Sequence, residues 1–348
     1  MTAPVTSGDR YAVADAPQRR WRDIALRWEV ILLALLALTI IVNTIASPYF
    51  LDVFNLADAT FNFSEKAIIA LAMALLILVR EIDLSVAAIV ALAAMGVGYA
   101  AEAGFGPPVL FAVAIGIGLL CGIFNGVLVS YLNLPSIVVT IGTMSLFRGL
   151  TQVILGDQAK TKFPSDFLDL GQSYFIKMKE TGLSWLFLPP VPLSFLIFLG
   201  LAVLFGLVLH RTAVGRRLFA AGSNPVAARF SGIPVARLRF ILFAVSGILS
   251  GLAAALLVAR LGSVRSNIGI GWELDIVTMV ILGGVSIAGG VGSILGVFLA
   301  VLVLGLLTFG MSLNNIPGQV VSVYIGALLI AVIAIPRIIE RIRTRSTR

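Results

Sequence analysis

The chain carries few groups able to do covalent or metal chemistry: its 348 residues include one cysteine, Cys121, one histidine, His210, and 17 aspartates and glutamates. A single cysteine excludes an internal disulfide. A single histidine excludes bis-imidazole haem and leaves little for an imidazole-based metal site. Cys121 lies in an apolar run and reads as a small packed core residue; His210 follows an apolar segment and reads as interfacial. No glycine is followed by lysine, so the GxxxxGK[ST] phosphate-binding loop is absent and ATP-driven work must come from another polypeptide. The acids are placed at the ends of apolar segments and in loops, which argues against a proton-coupled carrier. No group of nucleophile, base and metal ligand falls within the apolar segments. The chain is therefore read as a non-enzyme, with no catalytic residue, metal site or cofactor of its own.

The stretch with the most chemical character is basic. Residues 210–239, HRTAVGRRLFAAGSNPVAARFSGIPVARLR, hold Arg211, Arg216, Arg217, Arg229, Arg237 and Arg239 and no acid. Asn224 before Pro225 is a helix start, with Asn224 as cap and Pro225 in the first position. Gly232 is a stop, and Pro234 prevents resumption. A two-turn helix over about 225–231 is expected. Alone it is too short to hold in water, so it needs a surface, and Val226, Ala227, Ala228 and Phe230 offer a small contact face. Either it packs on its own domain within an orienting basic loop, or it docks on a partner. In the second case Arg216, Arg217, Asn224, Pro225, Ala227, Ala228, Ser231 and Gly232 form the contact set.

Other polar groups sit inside apolar segments. Asn125, Thr143, Ser145, Ser246 and Ser250 either face a polar channel or bond a neighbouring backbone carbonyl. Arg148 lies about 18 Å along a helix starting near Ser136; a central arginine costs roughly 2.5–3.5 kcal/mol on insertion scales, so it must face protein or water, or snorkel outward. The run LGGVSIAGG, Leu282 to Gly290, has two glycine pairs and suggests a broken or re-entrant segment. Non-helical backbone at membrane depth is tolerated only when buried in protein or lining a water-filled cavity. Gly283, Gly284 and Ser286 are thus candidates to line a pathway, with a plain tight loop as the other reading. Gly118, Gly122 and Gly126 in one segment, and Gly292 and Gly296 in another, are small stripes that let helix backbones approach closely.

The elements that position these groups are membrane helices. Hydrophobic residues make up 59% of the chain and charged ones 12%, with a mean hydropathy of +1.06. About twice that charged fraction is usual in a soluble domain. An all-α polytopic fold is expected, with ten spans at roughly 29–46, 67–79, 84–101, 109–132, 136–155, 193–209, 240–259, 276–289, 292–310 and 320–336. Residues 1–28 form a polar tail too long and mixed for a signal peptide, 29–336 the membrane domain, and 337–348 a basic tail. With the N-terminus inside, 17 of the 25 lysines and arginines fall in cytoplasmic segments, so both ends are cytoplasmic. The net charge of +8 is therefore mostly topology, and no nucleic-acid partner is expected. The outer loop 156–192 reads as a solvated cap or a landing surface for an external partner.

Two short stretches recur. Asn133-Leu134-Pro135 opens the fifth span and Asn315-Ile316-Pro317 the tenth, each with asparagine as expected cap and proline in the first turn. Glu81-Ile82-Asp83-Leu84 opens the third and Glu273-Leu274-Asp275-Ile276 the eighth. Five spans separate each pair, so the copies enter the membrane from opposite faces. That is the pattern of an inverted repeat, spans 3–5 against 8–10.

Four motifs carry a family resemblance from about residue 60 to 336: Ile82-Asp83-Leu84-Ser85, IGTMSLFRG (Ile141 to Gly149), GRRLFAAGSNPVAARFSGI (Gly215 to Ile233) and GWELDIVTMVILGGVSIAGG (Gly271 to Gly290). The chain resembles the permease subunits of bacterial ATP-binding-cassette sugar importers, the group of ribose, xylose, arabinose, rhamnose and autoinducer-2 permeases. Glu81 departs from it, since the family commonly has glycine there. The resemblance implies a pathway for a pentose, a deoxyhexose or an autoinducer-2-like sugar in the bacterial inner membrane. It implies a second permease, identical or related, a cytoplasmic ATPase that holds ATP and Mg and grips the loop around Asn224 to Gly232, and a periplasmic sugar-binding protein. The alternatives are a branched-chain amino-acid-type permease, a self-powered channel, which would need no docking helix, and an intramembrane enzyme, for which no site is found.

Overall fold

A computed structural model describes residues 28–176 and 190–346. Within them the helices are α1 (Trp28–Ala46), α2 (Val53–Leu78), α3 (Val86–Glu102), α4 (Pro107–Ser130), α5 (Ser136–Leu155), α6 (Ser165–Gln172), α7 (Leu193–Arg211), α8 (Ala213–Ser223), α9 (Pro225–Phe230), α10 (Val235–Leu261), α11 (Trp272–Leu282), α12 (Ile294–Leu313) and α13 (Gly318–Ser346). A small antiparallel pair, β1 (Tyr174–Ile176) and β2 (Val191–Pro192), precedes α7. Seven helices are long and apolar enough to cross a membrane, and Val86–Glu102 and Gly318–Ala334 are shorter apolar helices. Each of the ten expected spans has a helix, so the fold is all-α and polytopic. The polar tail over 1–27 and the middle of the 156–192 loop lie outside the described residues.

Three boundaries differ from expectation. The second span begins at Val53, not 67, because Asp52 caps it by accepting from the Phe54 and Asn55 amides. Its first half carries Asn55, Asp58, Asn62, Glu65 and Lys66, which depress hydropathy; Asp58 and Asn62 stay exposed, while Glu65 on the inward face is fully buried. The acids are thus not confined to span ends. The eighth span stops at Leu282, and residues 283–293 continue without helix, so Gly292 lies outside α12. Eleven helical residues rise about 16 Å, roughly half a hydrocarbon core, so the glycine run completes the crossing in irregular backbone. The tenth span runs on into the residues expected as a basic tail, with α13 continuing as helix to Ser346.

The core is built on α2, α3 and α10, whose apolar side chains are buried on almost every face. The α4 glycine stripe meets a second stripe on α10. A Cβ on Gly118 or Gly122 would collide with the carbonyls of Gly247 or Phe243, so the two backbones touch without side chains between them.

Polar ties gather at two opposite faces. One carries α8 and α9 and is called the elbow face. There Trp28 Nε1 donates to the Leu282 carbonyl at 2.8 Å, and the Gly290 amide to the Leu78 carbonyl at 2.8 Å. At the far face Arg260 Nε pairs with Glu65 at 2.8 Å, and Lys160 Nζ with Glu102 at 2.7 Å. The Glu102 carboxylate holds the Lys160 ammonium above the ordinary lysine range.

The repeat is visible in the backbone. Asn133 has φ 55° and Asn315 φ 56°, the left-handed conformation that non-glycine residues rarely adopt. Neither caps the helix that follows: α5 starts at Ser136 after Pro135, and α13 at Gly318 after Pro317. Each asparagine instead turns the chain out of the helix before it, a task asparagine shares with glycine. Ser136 approaches Ile82 at the elbow face, while Gly318 and Ser322 share a cavity with Lys66 and Asp275 at the far face. The two copies therefore start from opposite sides.

Candidate functional site

The basic loop folds into two helices where one was expected. Thr212 caps α8 by accepting from the Val214 and Gly215 amides, and Asn224 caps α9 by accepting from Val226 N at 3.1 Å and Ala227 N at 3.0 Å. Gly232 ends the turn at φ 81°, a conformation open to glycine. Leu218, Ala221 and Ala228 are buried on the chain's own domain. Ala228 was expected in the outward contact face and is not; its neighbours Val226 and Phe230 are, at 62% and 90% exposure. Arg216, Arg217, Arg229, Asn224, Ala227, Ser231 and Gly232 are exposed and Pro225 half-buried.

This elbow is bolted to the membrane core. Arg80, in the α2–α3 turn, donates from Nε to the Gly222 carbonyl and from Nη2 to the Ser223 carbonyl, both at 2.6 Å. Gly289 and Gly290 pack on Arg80 and Ser223, and Gly222 on Leu78. Glu81 and Arg239 form an ion pair at 2.9 Å, without a linear N–H···O bond. Glu81, the departure from the family pattern, thus fastens the start of α10 to the turn before α3.

The candidates inside the membrane separate into distinct environments. Ser246 and Asn125 join a sealed cluster around Asp83. One Asp83 oxygen accepts from Ser85 N at 3.0 Å and Ser85 Oγ at 2.6 Å, the other from Ser246 Oγ at 3.1 Å. Asn125 Nδ2 donates to Ser85 Oγ at 2.8 Å, and all four residues are 0% exposed. Ser250 bonds the Ser246 carbonyl of its own helix, and buried Thr143 makes only a long 3.4 Å contact to the Thr140 carbonyl. Ser145 is exposed on the α5 surface. Arg148 neither snorkels nor stands free: it donates to the carbonyls of Ile268 at 2.6 Å, Ser266 at 3.3 Å and Ala87 at 3.3 Å, holding the α10–α11 loop against α3. Gly283 is buried against the Gly296 and Val297 backbone, Gly284 lies under the Trp28 indole, and half-buried Ser286 closes the turn through its amide to Val291 O. The glycine run is buried in protein at these points, one of the two states its sequence permits.

A second polar group was missed by sequence reasoning. Lys66 Nζ donates to Asp275 Oδ2 at 2.5 Å and stands 5.4 Å from the centre of the Trp272 ring. These three residues line a cavity of about 530 Å³ between α2, α11, α12 and α13, with Asn62, Thr308, Ser312 and Ser322 on its wall. Hydropathy placed Lys66 in a loop. The signal that could have found the site was the repeat itself, since Asp275 is the counterpart of Asp83.

A family model described as "Branched-chain amino acid transport system / permease component" matches residues 55–333. A protein of Yersinia enterocolitica called "Autoinducer 2 import system permease protein LsrD" is 37% identical over 312 residues, covering 88% of this chain and 90% of that protein. The protein of the same description in Escherichia coli K12 is 36% identical, covering 88% of this chain and 91% of its own length. No solved structure matches. With the match running from α2 into α13, the chain belongs to the branched-chain amino acid transport system permease family and is a multi-pass membrane component of a transport system.

Proposed function

We propose that this chain is the permease subunit of an ATP-binding-cassette importer, forming the passage for a small sugar of the pentose, deoxyhexose or autoinducer-2-like class. One observation carries the reading: a chain without a phosphate-binding loop presents a capped two-helix elbow with Phe230 90% exposed, bolted by Arg80 to the transmembrane core. A bare aromatic at the tip of a rigid basic elbow suits insertion into a partner's cleft. The partner is a cytoplasmic ATPase that carries ATP and Mg; this chain takes no cofactor. A second permease subunit, identical or related, completes the passage, a periplasmic sugar-binding protein delivers the ligand to the far face, and lipid surrounds the assembly. Nucleic acid is not a partner. The elbow face is then cytoplasmic with both termini, as the lysine and arginine bias supports. The autoinducer-2-like option is supported by the relatives' names; pentose and deoxyhexose are carried by the motif resemblance.

Reversing Arg216 and Arg217 to glutamate is expected to abolish sugar uptake and sugar-stimulated ATP hydrolysis in proteoliposomes, while membrane insertion is unchanged. Normal uptake by that variant removes the docking role. Uptake against a gradient by the purified chain alone removes the importer reading, and transport of leucine in place of a sugar moves the chain to the amino-acid branch of its family.

A further inference from the structure

The far-face cavity has the composition of a ligand site rather than of a packing defect. Dry voids are lined by apolar groups; this one combines an ion pair, an indole, an amide and three hydroxyls in about 530 Å³, within the range of small-molecule sites. Its polar groups are arranged with a bias. Thr308 Oγ1 donates to the Gly305 carbonyl at 3.1 Å, Ser312 Oγ to Thr308 O at 3.0 Å and Ser322 Oγ to Gly318 O at 3.1 Å. Each hydroxyl has spent its hydrogen on its own helix and offers lone pairs outward. Among the described residues, Asp275 has a protein hydrogen bond on Oδ2 alone, leaving Oδ1 as a further acceptor. Lys66 uses one of three N–H groups on Asp275 and retains two donors. The wall is thus rich in acceptors with one cluster of donors, and its charges cancel.

We infer that this cavity is a receiving site for a neutral polyhydroxylated ligand, a monosaccharide, on the side of the membrane opposite the elbow. Sugar hydroxyls donate to Asp275 Oδ1, Thr308, Ser312 and Ser322, and a ring or hydroxyl oxygen accepts from Lys66. The C–H face of the sugar lies on the Trp272 indole. A charged ligand gains no net field from a matched pair, and an amino-acid zwitterion would have to part Lys66 from Asp275 to use either. The mutual neutralisation selects for hydroxyls. The groups come from four helices, α2, α11, α12 and α13, so occupancy senses their relative positions. The inference rests on the importer reading, and its test is chosen to fail separately from it.

Take the assembled transporter with Cys121→Ala and Ser312→Cys, reconstituted in lipid nanodiscs without the binding protein, and follow labelling by a charged methanethiosulfonate. Millimolar D-ribose or L-rhamnose is expected to slow labelling about fivefold when present at a few times its dissociation constant. Leucine leaves the rate unchanged. Trp272→Ala removes the sugar protection without altering the rate in buffer, and Trp272→Phe retains part of it. A transporter that imports a sugar in proteoliposomes, yet shows no protection by that sugar, overturns the site and leaves the importer reading intact. Protection by leucine alone overturns the sugar class. A transporter that moves no sugar at all overturns the reading beneath it.

Discussion

Two related stretches, Arg80-Glu81-Ile82-Asp83 and Trp272-Glu273-Leu274-Asp275, which share Glu and Asp, lead into equivalent helices from opposite faces and differ in what they bind. In the first, Arg80 grips the carbonyls of Gly222 and Ser223, and Asp83 is sealed by Ser85 and by Ser246 of α10. In the second, Trp272 lines a cavity, and Asp275 is held by Lys66 of α2 with its side chain 19% exposed. The pairing is reciprocal: α10 and α2 lie five spans apart, so each aspartate is held by the counterpart of the helix that holds the other. One copy therefore fixes the elbow to the core, and its inverted twin lines an open cavity. A repeat conserves backbone geometry cheaply, and a few side chains then decide whether a given copy is closed or open.

The largest test of this contrast is Asp83→Ala against Asp275→Ala. Removing Asp83 leaves Ser85 and Ser246 with no acceptor in a site that admits no water, each a buried polar group unsatisfied, for a loss of about 3 kcal/mol or more. Removing Asp275 leaves Lys66, about one-fifth exposed, on the wall of an open cavity that water can enter, so the loss is expected to be smaller than at sealed Asp83. Thermal unfolding in detergent should show a much lower midpoint for the first variant and a small shift for the second. Equal shifts would mean that both carboxylates are structural, and the contrast would be gone.

Arg80→Ala comes next. It deletes two charge-assisted hydrogen bonds to the elbow, worth about 1.5–3 kcal/mol each before relaxation. The elbow is expected to stay folded, because its caps at Thr212 and Asn224 and its buried Leu218 are local. Its motion should instead become independent of the core. ATP hydrolysis in the assembled transporter is expected to continue while sugar uptake falls about tenfold, so more ATP is consumed per sugar moved. A parallel drop in both rates marks Arg80 as merely structural.

What the sequence disclosed follows the range of the forces involved. The α9 start at Asn224-Pro225 and its stop at Gly232 were legible, since capping and left-handed turns are decided within a few residues. Which side of α9 faces inward was not, because docking on the domain buried Ala228 and exposed Phe230. Helix α8 was missed altogether, since its inward face is Leu218 among the small residues Gly215, Ala221 and Gly222, at helical spacing but with little apolar bulk to mark it. The Lys66 site was hidden as well. Hydropathy measures affinity for lipid and cannot see the partners, Arg260 and Asp275, that Glu65 and Lys66 find on the inward face of α2. The sequence left Arg148 facing protein or water, or snorkelling outward; that its partners are loop carbonyls follows only from the tertiary fold.

The smallest effect separates a true repeat from two coincidental turns. Asn133 and Asn315 share a φ near 55° and precede the same proline two residues on, but their surroundings differ. If the common sequence encodes backbone shape alone, the cost of substitution should not depend on those surroundings. Alanine at either site must hold a left-handed conformation that disfavours its Cβ, costing roughly 1–2 kcal/mol. Glycine accepts that conformation freely and should leave stability unchanged or slightly raised. The expected pattern is therefore the same at both positions: alanine lowers the unfolding midpoint by a few degrees and glycine does not. A loss confined to Asn133 would tie it to local side-chain contacts, such as its 3.4 Å reach to the Tyr131 carbonyl, and would leave the inverted symmetry resting on the aspartate pair alone.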